Sequence, residues 1–340
     1  MEIGKLVQSL GLGELQKEPA EVKGGLLHKM YRVTTSKGEY AVKVLNGEIM
    51  KRPTALRNTE NSEKIATAFK DILPVVAALE LQGKQIHELD GSYYMVFPWV
   101  EGRSVFPGEI NETHCGAMGD ILGRMHRADI AIDGVEPEAG GAEAFPWDAY
   151  LQTAKEQKEH RIQESQSIDW LAQYEKVISD IKEWNQAACD AQETLAQTKV
   201  LSHRDLDPKN VMWNGAEPLI IDWEAAGYIN PYQEFLEVLN YWADDGAGGL
   251  VRSYFDTLTD AYGKHMSLED VPWDAVFAGS FSGMLGWLDY NLKRALGIEA
   301  SGEEEIRLGE EQVVGTIGAL YAYCDKVELM KKWLGVRNDR

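Results

Sequence analysis

Three absences bound this chain before any motif is read. Among 340 residues there are only three cysteines, Cys115, Cys189 and Cys324. They are far apart and lack metal-ligand spacing, which argues against a disulfide framework or a zinc site and fits reduced, partly buried thiols of a cytoplasmic protein. No run of about 18 apolar residues occurs, so no membrane-spanning helix is expected. The first residues also lack the basic segment and apolar core of a secretory signal. Cationic excess is missing too. The formal net charge is −21, with a balance of +1 over residues 1–100 and −22 over the remaining 240. Such a surface repels nucleic acid and anionic membranes. It either attracts a cationic small molecule or serves only solubility.

What is present is enough apolar material for substantial cores: 44% hydrophobic residues and ten tryptophans. The length suits two ordinary domains or one two-lobed enzyme. Residues 1–100 read as a small α+β lobe. Residues 26–45 predict a hairpin turning at Ser36-Lys37-Gly38, and residues 86–89 and 93–97 a second strand pair around Asp90-Gly91. Between them residues 57–71 predict a helix, with Ile65, Ala66, Phe69 and Ile72 on one stripe. Pro98 to Gly102 punctuates the chain, which places a lobe boundary there. Residues 101–340 read as mostly helical. A helix at 111–127 turns Met118, Ile121, Leu122 and Met125 inward, helical stretches fill 146–197, short strands flank residue 205, and about four helices follow Pro231. Residues 134–141 predict a mobile loop. No internal repeat or low-complexity segment is visible.

The most informative run is His203-Arg204-Asp205-Leu206-Asp207-Pro208-Lys209-Asn210, followed by Ile220-Ile221-Asp222-Trp223-Glu224. An Asp, an Asn five residues later and a second Asp after a short apolar strand form a phosphoryl-transfer pattern. One carboxylate must accept the proton of an attacking hydroxyl, and two oxygen ligands must hold magnesium on nucleotide phosphates. Asp205 suits the first role, and Asn210 and Asp222 suit the second.

With these motifs in order, the chain resembles the aminoglycoside phosphotransferase and choline kinase-like family. The resemblance implies a two-lobed protein-kinase-like α+β fold: a small N-terminal lobe with an antiparallel sheet (1–100) and a larger, mostly helical C-terminal lobe (101–340) for catalysis and substrate. It implies that Lys43, in Tyr-Ala-Val-Lys, contacts nucleotide phosphates as a point charge. Glu60 on the following helix is the candidate orienting carboxylate, with Glu63 as an alternative. It places a nucleotide-covering loop at Gly24-Gly25, where glycines admit close backbone approach to phosphate. It makes Phe97 to Gly102 a hinge whose Pro98 carbonyl and Val100 amide meet the purine edge. His126 and His203 are expected to hold the catalytic loop rather than move protons.

Several positions depart from the family. Arg204 stands where glycine is usual, and Leu27-His28 stand where Ser and Asn are frequent. Lys209 either touches the γ-phosphate or is a surface lysine. No Ala-Pro-Glu anchor follows Asp222, so the acceptor should be a small hydroxyl compound rather than a protein. The expected reaction moves the γ-phosphate of ATP or GTP, with Mg2+, to an aminoglycoside-like, choline-like or amino-alcohol acceptor. Trp242, Asp244, Asp245, Trp273, Trp287, Asp289 and Tyr290 could recognise it or could simply be structural. The rival reading is a catalytically silent nucleotide-binding regulator.

Overall fold

The structure, a computed structural model, describes residues 2–22, 28–137, 143–161 and 169–336. Gly24 and Gly25, and residues 138–141 of the expected loop, lie outside the described residues. The chain opens with α1 (Glu2–Ser9), β1 (Ala20–Val22), β2 (Lys29–Thr35), β3 (Gly38–Val44), α2 (Gly47–Met50), α3 (Ala55–Phe69), β4 (Ile86–Leu89) and β5 (Ser92–Pro98). Then follow α4 (Glu112–Arg127), α5 (Trp147–Arg161), α6 (Asp169–Asp190), α7 (Gln192–Ala196), β6 (Val200–Ser202), β7 (Val211–Asn214), β8 (Glu217–Ile220) and β9 (Gly227–Ile229). Five helices finish the chain: α8 (Pro231–Trp242), α9 (Arg252–Gly263), α10 (Trp273–Gly279), α11 (Ser282–Ala295) and α12 (Glu303–Leu334). The architecture is α+β, with an antiparallel sheet near the N-terminus and helices dominating the C-terminal part. No described helix is long and apolar enough to cross a membrane.

Two compact units divide these elements. One comprises Met1–Pro137, Val200–Ile229 and Thr257–Met266; the other comprises Glu138–Lys199, Asn230–Asp256 and Ser267–Arg340.

In the first unit the strands run β1-β2-β3-β5-β4, all neighbours antiparallel. Period-two alternation splits the sheet into two faces. One face buries Val33, Val42, Tyr94 and Val96 against Ile3, Leu6 and Val7 of α1. The other carries Lys43, in register with Met30 on β2 and Met95 on β5. Cross-strand register therefore fixes the single lysine of β3 on the face away from α1.

Helix α4 begins with a capping box in which Asn111 accepts from Thr113 and His114 amides and His114 returns to the Asn111 amide. It buries Met118, Ile121, Leu122 and Met125, as its periodicity requires. Gly119 lets α4 run close to α9: a Cβ there would collide with the Leu258 carbonyl.

The second unit is stitched by buried polar groups. Asn185 Oδ1 accepts from Phe145 N and Trp147 Nε1, and its Nδ2 donates to the Glu143 carbonyl. Trp184 stacks on Phe281 (5.5 Å between centroids), which meets Tyr323 edge-on.

Three expectations need correction. Among the described residues five helices run from Pro231 on, where about four were expected. Ile72 does not join the apolar stripe: α3 ends at Phe69, so Ile72 lies past it and is 36% exposed. Helix α1 and strands β1 and β9 were not anticipated; the strands are three residues each, too short for alternation to register.

Candidate active site

The residues expected to carry phosphoryl transfer, Asp205, Asn210, Asp222 and Lys43, lie together within the first unit. Strand β6 ends at Ser202 and delivers the loop that starts at His203, which is fully buried. His203 Nδ1 accepts from the Asp205 amide (3.3 Å), so Nε2 carries the ring hydrogen and donates to the Ile221 carbonyl (3.0 Å). One imidazole thus ties the Asp205 backbone to the residue before Asp222. Its ring meets Trp223 edge-on at 4.8 Å, and Trp223 stacks on Phe69 of α3 at 5.6 Å.

Asp205 and Asn210 are held together directly. Asn210 is buried, and its Nδ2 donates to both the Asp205 carbonyl and Asp205 Oδ2, each at 2.8 Å. With the nitrogen so engaged, Oδ1 is the Asn210 atom suited to a cation. Burial raises the Asp205 carboxyl above its ordinary value, against the pull of Lys209 and His203.

Hairpin β7–β8 follows. Ile221 N donates to the Asn210 carbonyl (2.9 Å), setting the strand exit beside the loop. Asp222 then takes a left-handed conformation, φ 58° and ψ 66°. Asp tolerates this region better than most residues. Arg204, at φ 66°, occupies the same region without that advantage; a glycine would adopt it without strain.

Lys43 reaches this site from β3. Its Nζ lies 2.9 Å from Asp222 Oδ1 and also pairs with Glu224 Oε1. Burial of Lys43 would lower its pKa, but the two carboxylates outweigh that and raise it. Glu224 is also bonded by His28 Nε2 at 3.0 Å, while His28 Nδ1 accepts from the Asn46 amide at 2.8 Å. Burial would push the Glu224 carboxyl up, yet the His28 bond and the Lys43 charge hold it at about 2.

The helix carboxylates divide differently from the first expectation. Glu60 is exposed, and the structure brings it to no partner of Lys43. Glu63 is buried, accepts from the Ala78 amide (2.8 Å) and lies within electrostatic reach of Lys43, Asp222 and Glu224. Burial pushes its carboxyl up to about 7, against the Ala78 N–H and the Lys43 charge. The signal that could have found it is the apolar stripe itself: Glu63 lies on the side of α3 that buries Ser62, Ile65 and Ala66.

The segment expected to form the hinge, residues 97–102, is set by register and by a glycine. Pro98 ends β5 opposite Tyr40, and Trp99 N donates to the Glu39 carbonyl at 3.1 Å. Arg32 stands over the Trp99 ring (4.3 Å), and Trp99 Nε1 donates to Glu101 at 2.9 Å. The chain next pairs with β7: Arg103 and Trp213 exchange both backbone bonds, at 3.2 and 2.9 Å. Gly102, at φ 151°, permits that approach, since a Cβ there would lie 2.8 Å from the Trp213 carbonyl oxygen. Val100 is half-buried between the two anchors.

His126 Nδ1 lies 3.0 Å from Tyr262 Oη. Of the residues considered for acceptor recognition, all in the second unit, most are committed elsewhere. Trp242 is fully buried. Asp244 pairs with Lys326, and Asp245 accepts from the Ala247 and Gly249 amides. Trp273 packs on Tyr232 and Phe277. Asp289 accepts from Tyr150 Oη (2.6 Å) and pairs with Lys293 (2.8 Å). Only Trp287, 38% exposed and tilted against Tyr290, shows a large aromatic surface.

Asn210 Oδ1 and the Asp222 carboxylate are hard oxygen donors of the kind magnesium prefers. Among the described residues no three His, Cys, Asp or Glu side chains form a metal cage. Magnesium on a nucleotide needs none, because it keeps waters and phosphates in its shell. The donor set fits the ion.

The fold and this constellation define a kinase-like phosphotransferase. The sequence profile described as the phosphotransferase enzyme family matches residues 19–268, and the chain belongs to that family of small-molecule kinases. No curated protein sequence matches the chain. Among solved structures it is similar to a spectinomycin phosphotransferase in complex with ADP and spectinomycin (TM-score 0.67, 12% identity, 94% of this chain and 97% of that one). It is also similar to an amicoumacin kinase in complex with AMP-PNP and Ca2+ (0.60, 13%, 92% and 92%). A choline/ethanolamine kinase family protein from Mesorhizobium loti matches over 98% of both chains (0.60, 15%). At these identities the likeness is one of fold.

Proposed function

We propose that this enzyme transfers the γ-phosphate of a nucleoside triphosphate to a hydroxyl of a small, cationic acceptor, using magnesium. The observation that carries the reading is the joint fixation of Asp205 by Asn210 and His203, on a loop whose continuation presents Asp222 to Lys43.

In this reading residues 1–100 bind nucleotide and residues 101–340 supply catalysis and acceptor binding. The Pro98 carbonyl and Val100 amide meet the base. Gly24 and Gly25 approach the phosphates through their backbone, and Lys43 contributes charge to them, oriented by a carboxylate of α3, for which burial favours Glu63 over Glu60. Asn210 and Asp222 would hold magnesium, which when bound neutralises phosphate charge. Asp205 orients the acceptor hydroxyl and takes its proton. The hydroxyl oxygen forms a bond to the γ-phosphorus, the bond to the bridging oxygen breaks, and its electron pair leaves with the nucleoside diphosphate. Raising the Asp205 carboxyl by burial makes it a better proton acceptor than an exposed aspartate.

The complexes of similar proteins with ADP and AMP-PNP support an adenine nucleotide, with GTP as the alternative donor. The acidic balance of residues 101–340 supports a cationic acceptor, aminoglycoside-like, choline-like or an amino-alcohol. Because Asp244 and Asp289 are already paired with lysines, that attraction comes from the acidic surface as a whole. The same charge argues against nucleic acid and membrane partners. None of the three cysteines, all among the described residues, forms a disulfide, which supports a cytoplasmic setting.

The test is nucleoside-diphosphate release from Mg-ATP and Mg-GTP across aminoglycosides, choline, ethanolamine, homoserine and sugars. Acceptor-stimulated turnover that disappears in Asp205→Asn supports the reading. Turnover unchanged in that variant refutes it.

A further inference from the structure

Lys209 lies on the 3-10 turn Pro208–Asn210, between the catalytic aspartate of the proposed mechanism and the magnesium-side asparagine. Its backbone is fixed at both ends. The amide donates to Asp207 Oδ1 (2.8 Å), and the carbonyl accepts from Ser104 Oγ (3.0 Å), a residue just past the hinge. Its ammonium lies 3.5 Å from each oxygen of the Asp205 carboxylate and 3.8 Å from Asp207 Oδ2. At 52% side-chain exposure it is not a core cation, and its four-carbon stem leaves the ammonium free to change partners.

A cation beside a proton acceptor is a cost to base catalysis. It stabilises the carboxylate and lowers its affinity for the hydroxyl proton. The position therefore calls for a second anion that benefits. The acceptor oxygen must sit about 3 Å from Asp205 to hand over its proton, and about 3–3.5 Å from the phosphorus it attacks. The γ-phosphoryl oxygens then fall roughly 6 Å or less from the Asp205 carboxylate, within the swing of an ammonium already anchored there. We infer that Lys209 is a catalytic residue of this enzyme, moving from Asp205 onto the γ-phosphoryl oxygens when the triphosphate binds. This would do two things at once: neutralise charge on the transferring group and release Asp205 to act as base. Lys209 forms no bond and keeps its proton throughout. The inference rests on the phosphotransfer reading above.

The test compares Kd for Mg-ADP and Mg-AMP-PNP in the wild type, Lys209→Met and Lys209→Arg, which needs no knowledge of the acceptor. Unchanged ADP affinity reports an intact fold. The expected result is a loss of about tenfold in AMP-PNP affinity in Lys209→Met with ADP unaffected, largely restored in Lys209→Arg. If Lys209 only balances the charge of Asp205, the AMP-PNP to ADP ratio will match the wild type in both variants, and the inference is overturned. If Lys209→Met also loses ADP, the ratio in Lys209→Arg and in the milder Lys209→Gln decides by the same criterion. A wild type that binds neither these nor Mg-GDP and Mg-GMP-PNP would overturn the phosphotransfer reading itself, an outcome distinct from an unchanged ratio; if only the guanine pair binds, the same ratio is read with it.

Discussion

Lys43 Nζ lies 2.9 Å from Asp222 Oδ1, joining positions 179 residues apart in sequence. The pair also includes Glu224, so one buried ammonium carries two carboxylates. Removing Lys43 takes the shared cation from both carboxylates, and removing Asp222 leaves the buried ammonium with Glu224 alone. In the proposed reaction both ends also serve the nucleotide. Asp222→Asn is expected to lower kcat at least about 100-fold. Steady-state kinetics with a thermal melt checks this: a full-activity Asp222→Asn protein would remove Asp222 from the mechanism.

The two glutamates of α3 should separate cleanly. Glu60→Ala, at an exposed site, is expected to change stability by no more than about 0.5 kcal/mol and to leave turnover intact. Glu63→Ala removes the acceptor of the buried Ala78 amide and should cost about 1–3 kcal/mol. Urea denaturation of both variants measures this, and a larger loss in Glu60→Ala would reverse the assignment.

Glu63 also gives stability a pH dependence of known sign. Its folded pKa, about 7, lies above the ordinary 4.5, so between these values the folded protein binds more protons than the unfolded one. Stability from this group is full below pH about 4.5 and declines as pH rises through 7. The decline is at most about 3 kcal/mol. Glu63→Gln cannot titrate and should lack that decline. Denaturation midpoints at pH 5, 6, 7 and 8 give the answer, and parallel pH profiles for the two proteins would contradict it.

Gly102→Ala should disturb the segment proposed as the hinge. The new methyl would meet the Trp213 carbonyl at 2.8 Å in a backbone conformation that side chains rarely adopt. Strain and overlap together should cost about 2–4 kcal/mol. Because this contact holds the residues after Val100 against β7, nucleotide KM should rise as well. A normal melting temperature together with a normal KM would show that the contact is dispensable.

His203 offers a test of loop geometry. Its two ring nitrogens serve the Asp205 amide and the Ile221 carbonyl, so His203→Ala should lower kcat about 10-fold or more through misplacement of Asp205. Nucleotide affinity, which Lys43 and the hinge provide in the proposed mechanism, should change far less. Equal losses in kcat and in nucleotide binding would point to general unfolding instead.

Much of the fold was legible because its signals are local. The hairpin of β2 and β3 carries alternation and a turn at Ser36-Lys37. Helix α4 shows its stripe, and β7 and β8 lie where short strands were expected around the motif loop. The spacing from Asp205 to Asn210 is covalent, so the sequence alone brings those two together. Other features were not local. Helical periodicity near 100° per residue leaves positions three apart only about 60° apart in direction, so Glu60 and Glu63 share a face on paper. The packing of Phe69 on Trp223 helps fix the rotation of α3 and thereby separates them. The acceptor candidates stayed open between recognition and structure for the same reason: a tryptophan or aspartate on a helix does not announce whether a lysine or a core waits beside it, as Trp242 and Asp289 show.

The sequence by itself determined the family, and it supplied the order and identities of Asp205, Asn210, Asp222 and Lys43 as the groups of the proposed mechanism, because motif chemistry is a matter of residue type and short spacing. Tertiary structure alone decided who pairs with whom. It set Lys43 between Asp222 and Glu224, turned Glu63 inward and Glu60 outward, forced Arg204 and Asp222 into left-handed conformations, and laid Lys209 beside Asp205. Those outcomes depend on distances across strands and helices far apart in the chain, and on burial, which reshapes the energy of every charge it touches.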